Sequence, residues 1–228
     1  APDDADLGSS GTVSEDTSGG APGSFTLGAG SETTLSWSGT PPRLTLSQGE
    51  VPLLFLPLEG FQVGVVPKLD TTLSYDPHFF DADSVLGDLY SPPEGLEWLS
   101  PTGVQSVSVG DDGAASVVLV TEDGTTMTFL IKEDARGRFR AHWTADAGDD
   151  IAVYFRLRPR VDDEEGFYGM GEVFDHVNHR GMARPMQIMP AQVENGHNEV
   201  HVPIPLLVGT TGWGLFVESM HPGSFAVA

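Results

Sequence analysis

The chain has 228 residues, 39% of them hydrophobic and none of them cysteine, enough to bury one sizeable core or two small ones without disulfides or a thiolate metal site. Lys plus Arg total 11 against 33 Asp plus Glu, and the formal net charge of -22 argues against nucleic acid and anionic membrane surfaces as partners. No run approaches the roughly 18 apolar residues of a spanning helix, so no membrane span is expected. The Ala-Pro-Asp-Asp start has neither the basic nor the apolar region of a signal peptide, and the chain reads as mature and soluble.

Residues 1–22 are Gly, Ser, Asp and Glu with almost no large apolar side chain, a composition that reads as a flexible acidic tether preceding a folded domain over 23–228. Such a spacer suits an exported bacterial protein, secreted, periplasmic or cell-surface, with a lipid anchor upstream as one form of it. An ordinary disordered terminus is the competing explanation.

From Leu44 onward, short apolar runs of period two alternate with turn residues, and the 28 Gly and 17 Pro fit many turns. Val51 to Leu58 and Phe61 to Val66 read as strands divided by Glu59-Gly60, the first pushed toward a sheet edge by Pro52 and Pro57. Residues 71–103 break the rhythm, with a short helix expected around Asp81 to Leu89. Their aromatics Phe79, Phe80, Tyr90 and Trp98 either stack on a sugar or, the better-supported reading, cover the end of the core. Ser116 to Val120 and Thr125 to Ile131 flank Asp123-Gly124, which predicts a hairpin with a two-residue type I′ turn. Phe139, Ala141, Trp143 and Ala145 fall on one face of the next strand, opposite Arg138, Arg140, His142 and Thr144. Ile151, Val153, Phe155 and Leu157 repeat the pattern opposite Arg156 and Arg158, and this strand is expected to pair with the preceding one across Gly148-Asp149-Asp150. Val202 to Val208 and Trp213 to Glu218 bracket Gly209 to Gly212 as another hairpin. The sum is an all-β, antiparallel meander of sandwich size.

The densest signal is Gly166-Phe-Tyr-Gly-Met-Gly-Glu172, followed by Arg180-Gly181. Its glycines have the wrong spacing for a dinucleotide fingerprint, and no βα unit surrounds them. The run Asp162-Asp163-Glu164-Glu165 reads as a solvated turn, lacking the interspersed acids of a calcium loop. His176, His179, His197 and His201 with Asp175 invite a metal reading. In an extended strand, however, His197 and His201 lie about 13 Å apart at roughly 3.3 Å per residue, which favours polar turn residues.

Taken in order, Tyr168-Gly169-Met170-Gly171-Glu172, Arg180-Gly181, Ile204-Pro205 and Gly212 to Val217 resemble the N-terminal domain of glycoside hydrolase family 31. The resemblance covers residues 150–228 by motif and the earlier strands by pattern. It implies a galactose-mutarotase-like β-sandwich and, beyond Ala228, a (β/α)₈ catalytic barrel of the same polypeptide as its partner. It implies a retaining α-glycosidase acting on an oligosaccharide or α-glycoside through two carboxyl groups roughly 5 Å apart, carried by the barrel, with no cofactor. No catalytic residue is then expected in this chain, which alone would be inactive. The position before the Ile-Pro strand implies a substrate loop at Met189 to Asn198, with Gln192, Glu194, Asn195 and Asn198 as hydrogen-bonding candidates; a polar surface turn is the equal alternative. Glu172 is expected to accept backbone N–H bonds. Trp213, Phe216 and Met220 are expected on an apolar face toward the barrel. A free-standing carbohydrate-binding or adhesion module is the rival function, and a structural cell-surface sandwich a third.

Overall fold

A computed structural model describes residues 23–68, 95–134, 138–173, 176–186, 200–219 and 223–227. They form sixteen strands and one 3₁₀ turn, Leu58–Gly60, in two compact units, 23–68 with 95–160 and 161–227. All the pairing is antiparallel. The expected helix at Asp81 to Leu89, and Phe79, Phe80 and Tyr90, lie outside the described residues.

The first unit contains eleven strands. β1 (Phe25–Leu27), β2 (Thr33–Gly39), β3 (Pro42–Gln48) and β4 (Val51–Pro57) form one sheet in that order. β4 ends this sheet, the position its two prolines call for, because each removes a ladder donor. β5 (Phe61–Pro67) lies between β6 (Glu97–Leu99) and β11 (Asp150–Leu157). β7 (Gly103–Val109), β8 (Ala115–Val120), β9 (Thr126–Glu133) and β10 (Phe139–Asp146) make the third sheet.

Alternation builds the core between these sheets. Ala115, Val117 and Leu119 of β8 and Met127, Phe129 and Ile131 of β9 are buried against Phe61, Val63 and Val65 of β5 and Leu35 and Trp37 of β2. Phe61 is the hinge of an aromatic cluster, edge-on to Trp37, Phe129 and Trp143 at centroid distances of 6.1, 5.2 and 5.9 Å. Each such pair contributes about 0.5–1.5 kcal/mol beyond burial. This is an all-β sandwich, as the patterning predicts.

Three local expectations need correction. The β8–β9 register pairs Val120 with Thr126, leaving a longer connection than two residues. Within it Gly124 N donates to Thr121 O at 3.2 Å and Thr121 N to Thr125 O at 3.0 Å. Only Gly124 has positive φ, at 91°, so the loop is a three-residue turn rather than type I′. Asp123 stabilises it by accepting from the Thr121 hydroxyl and, at 3.1 Å, the Thr125 hydroxyl.

β11 does not pair with β10. After the Gly148 turn (φ 63°) it joins β5 instead, with Leu157 opposite Phe61 and Phe155 opposite Val63, while among the described residues β10 pairs with β9 alone. The two strands touch through side chains at the margin of the core, where the ring centres of Phe155 and Trp143 are 4.7 Å apart and Phe155 is largely exposed. A bulge between Ala152 and Tyr154 also splits the predicted face. Phe155 and Leu157 share it with Ala152, whereas Ile151 turns outward and is 46% exposed.

The second unit contains β12 (Phe167–Val173), β13 (Ala183–Pro185), β14 (Val200–Gly209), β15 (Trp213–Phe216) and β16 (Ser224–Ala226). β14 is the middle strand between β12 and β15, and β13 pairs with β16. Phe167, Leu207 and Trp213 lie on one buried face of the three-stranded sheet. Tyr168, Ile204, Val208 and Phe216 occupy the other, with 38, 45, 38 and 54% exposure.

Candidate functional site

The acidic run is a turn: Glu165 N donates to Asp162 O at 3.2 Å and Glu164 N to Asp162 Oδ1 at 2.8 Å. It is not solvated throughout, because Glu165 is 3% exposed. Its Oε1 accepts from Thr211 Oγ1 at 2.6 Å and Trp213 Nε1 at 2.7 Å. Those donors replace the water a buried carboxylate gives up. Gly209 makes the approach possible, since a Cβ there would stand 2.3 Å from Glu165 Oε1 and 2.5 Å from the Trp213 ring.

Arg180 closes the same turn from the other side. Its Nη1 donates to the Asp162 and Glu165 carbonyls at 3.1 and 2.7 Å, and its guanidinium lies 5.6 Å from the Phe167 ring centre. Asn178 Oδ1 accepts from Phe167 N at 3.0 Å and Arg180 N at 3.1 Å, tying the loop to β12. Gly181 (φ 78°) then turns the chain, and its N–H donates to Val227 O at 2.9 Å. The Arg-Gly pair is thus the clasp of the motif.

Downstream, Gly169, Met170 and Gly171 have φ of 106°, 67° and 90°, three successive residues in a region that L side chains avoid. Gly169 is held there by close approach, since a Cβ would lie 2.3 Å from Leu206 O. Met170 bears a side chain in this conformation and is 2% exposed. Burial stabilises by enough to offset the strain of about 1–3 kcal/mol. His179, also buried, donates from Nε2 to Gly169 O at 3.2 Å. The β12–β14 ladder slips on either side of Gly171. Gly169, Gly171, Glu172 and Ile204 line an open depression of about 440 Å³ at this place.

Glu172 is exposed on its rim, and among the described residues no backbone N–H donates to its carboxylate. The buried acceptor is Glu165, seven positions earlier. Nothing in the acid run distinguishes Glu165 in the sequence, though Gly209 and the indole donor Trp213 were visible. Trp213 is on the buried face and Phe216 on the exposed one, correcting their expected common face; Met220 lies outside the described residues. So do Gln192, Glu194, Asn195 and Asn198. His176 is exposed, His201 stands in β14, and His197 and Asp175 lie outside the description; no group of three or more potential metal ligands gathers among the described residues.

The strained glycine turn, its Arg180 clasp and the Ile-Pro strand all fall within the span that a family model matches. The family model of the glycosyl hydrolase 31 N-terminal galactose mutarotase-like domain matches residues 98–225. No curated protein matches the chain. With more than half of its length matched, the chain belongs to the glycosyl hydrolase 31 N-terminal galactose mutarotase-like domain family.

Proposed function

We propose that this chain is the N-terminal β-sandwich of a retaining α-glycosidase, supporting a catalytic barrel on the same polypeptide and lending a loop to its substrate pocket. The observation that carries the reading is the family match across residues 98–225. In this reading Gln192, Glu194, Asn195 and Asn198 hydrogen-bond substrate hydroxyls beyond the cleaved bond. The open depression supports it: Glu172 and Ile204 offer a carboxylate and an apolar wall beside a rigid turn.

The exposed row Tyr168, Ile204, Val208 and Phe216 is the surface that the barrel covers, because apolar side chains on one sheet face gain by exclusion of water. The acidic residues 1–22 are the spacer of an exported protein, secreted, periplasmic or at the cell surface, a reading supported by their composition.

The test is hydrolysis of a panel of aryl α-glycosides by this chain and by the polypeptide that joins it to the catalytic domain. Activity confined to the longer polypeptide, with retained anomeric configuration, is the expected result. If both are inert and this chain alone binds oligosaccharides, a carbohydrate-binding module replaces the enzyme reading.

A further inference from the structure

A second concentration of chemistry lies in the first unit, on the sheet of β11, β5 and β6. Phe61, Val63 and Val65 face the core, so Gln62, Gly64 and Val66 alternate to the opposite side. Register sets Arg156 beside Gln62 and places both Tyr154 and Trp98 beside Gly64. The missing side chain at Gly64 lets the rings close over β5. A Cβ there would stand 3.0 Å from Leu96 Cδ1, 3.2 Å from Tyr154 Cβ and 3.4 Å from the Trp98 ring. Trp98 and Tyr154 stack with centroids 6.1 Å apart and planes inclined by 26°. The Arg156 guanidinium lies 3.7 Å from the Trp98 ring centre.

In a chain with 33 acidic and 11 basic residues, an arginine ordinarily finds a carboxylate. Arg43 and Arg160 both lie over Phe55, and Arg160 also pairs with Glu59 at 3.0 Å, but Arg156 differs from both in being partly buried, with an Nε that has no hydrogen-bond partner among the described residues. Among the described residues no acid pairs with Arg156. Burial, and then the charge of Arg158 beside it, push its pKa below the usual guanidinium range. The guanidinium plane therefore lies against an aromatic ring and, among the described residues, has no planar oxyanion in the place that its fork fits.

We propose that Arg156, Trp98 and Tyr154 bind an acidic sugar, a uronic acid residue whose carboxylate meets the Arg156 fork while its ring lies against the exposed part of Trp98. Trp98 is 37% exposed, enough to offer an apolar edge to a pyranose. Family membership supports a sugar over an acidic peptide, and this inference rests on the carbohydrate reading to that extent. The net charge of -22 selects a single uronate in an otherwise neutral glycan, since a polyuronate would be repelled as a whole.

Titration calorimetry of the 228-residue chain with a disaccharide of one uronic acid and one neutral sugar tests this. Its neutral counterpart, with hydroxymethyl in place of carboxylate, and a triglutamate peptide are the comparisons. The acidic disaccharide is expected to bind at least about tenfold more tightly than either. Arg156→Lys, which keeps the charge and loses the fork, and Arg156→Gln should each weaken it at least about tenfold, with circular dichroism unchanged. Lys132→Gln, at an exposed cation elsewhere, should have no effect. No binding, equal binding of the neutral sugar or of the peptide, or full affinity in Arg156→Lys overturns the proposal. Such a result beside intact α-glycoside hydrolysis by the longer polypeptide would leave the proposed function standing.

Discussion

The indole N–H of Trp213 donates to Glu165 Oε1 at 2.7 Å, and both side chains are buried. Removing the acceptor leaves that donor and the Thr211 hydroxyl without it. Glu165→Ala is expected to cost about 3 kcal/mol in denaturant unfolding, and Glu165→Gln, which keeps an oxygen in place, about 1 kcal/mol. Equal costs for the two would mean that a neutral amide oxygen does not replace the carboxylate and that the charged acceptor itself is required.

Gly169→Ala should be among the worst single changes in the second unit. It combines φ of 106° with a Cβ 2.3 Å from a backbone oxygen, and a loss of about 3 kcal/mol or more is expected. Gly214→Ala in the neighbouring β15 meets only ordinary contacts at 3.8 Å and should cost less than about 1 kcal/mol. Thermal melts of the pair decide whether backbone geometry at Gly169 is the constraint.

Asp123 makes the β8–β9 turn sensitive to acid. Its carboxyl is held below the ordinary 3.8, chiefly by the Thr121 hydroxyl, with burial opposing and the Thr125 N–H and hydroxyl adding to the fall. A carboxyl with a depressed folded-state pKa contributes stability that is full above its unfolded value and lost as pH drops through the folded one. Melting temperatures of Asp123→Asn and the parent should therefore converge as pH falls below the ordinary carboxyl value of 3.8. A constant gap across that range would assign the effect to shape alone.

Trp213 and Phe216 should separate support from docking. Trp213→Ala is expected to destabilise this chain by about 3 kcal/mol or more, as a buried aromatic does. Phe216→Ser, at 54% exposure, should change its unfolding by less than about 0.5 kcal/mol yet lower the melting temperature of the polypeptide containing the catalytic domain. A fall in both proteins would make Phe216 a core residue, and no fall in either would remove it from the docking face.

Much of the architecture was legible because a sheet with one buried face writes a period of two into its strands. Val117, Leu119, Phe129 and Ile131 declare β8 and β9 in this way. The partner of β11 was not legible, since alternation says which side of a strand is apolar and nothing about which sheet it joins after the Gly148 turn. The bulge at Val153 defeats the same rule by shifting the period within one strand. At the site, the glycines at 169 and 171 announced unusual backbone, whereas the positive φ of Met170 has no residue signature. Glu165 was hidden for a different reason: four consecutive acids look alike until tertiary structure buries one of them.

Three of the strands that end the sheets of the first unit also bear on self-association. β4 carries Pro52 and Pro57, β7 is kinked by an irregularity between Val104 and Ser106, and β10 presents exposed Arg140 and His142. A missing donor, a bend and a cation each spoil the template that an open strand offers to another chain. Rich in β structure and free of disulfides, the protein carries in these borders its own guard against growing, strand by strand, into an aggregate.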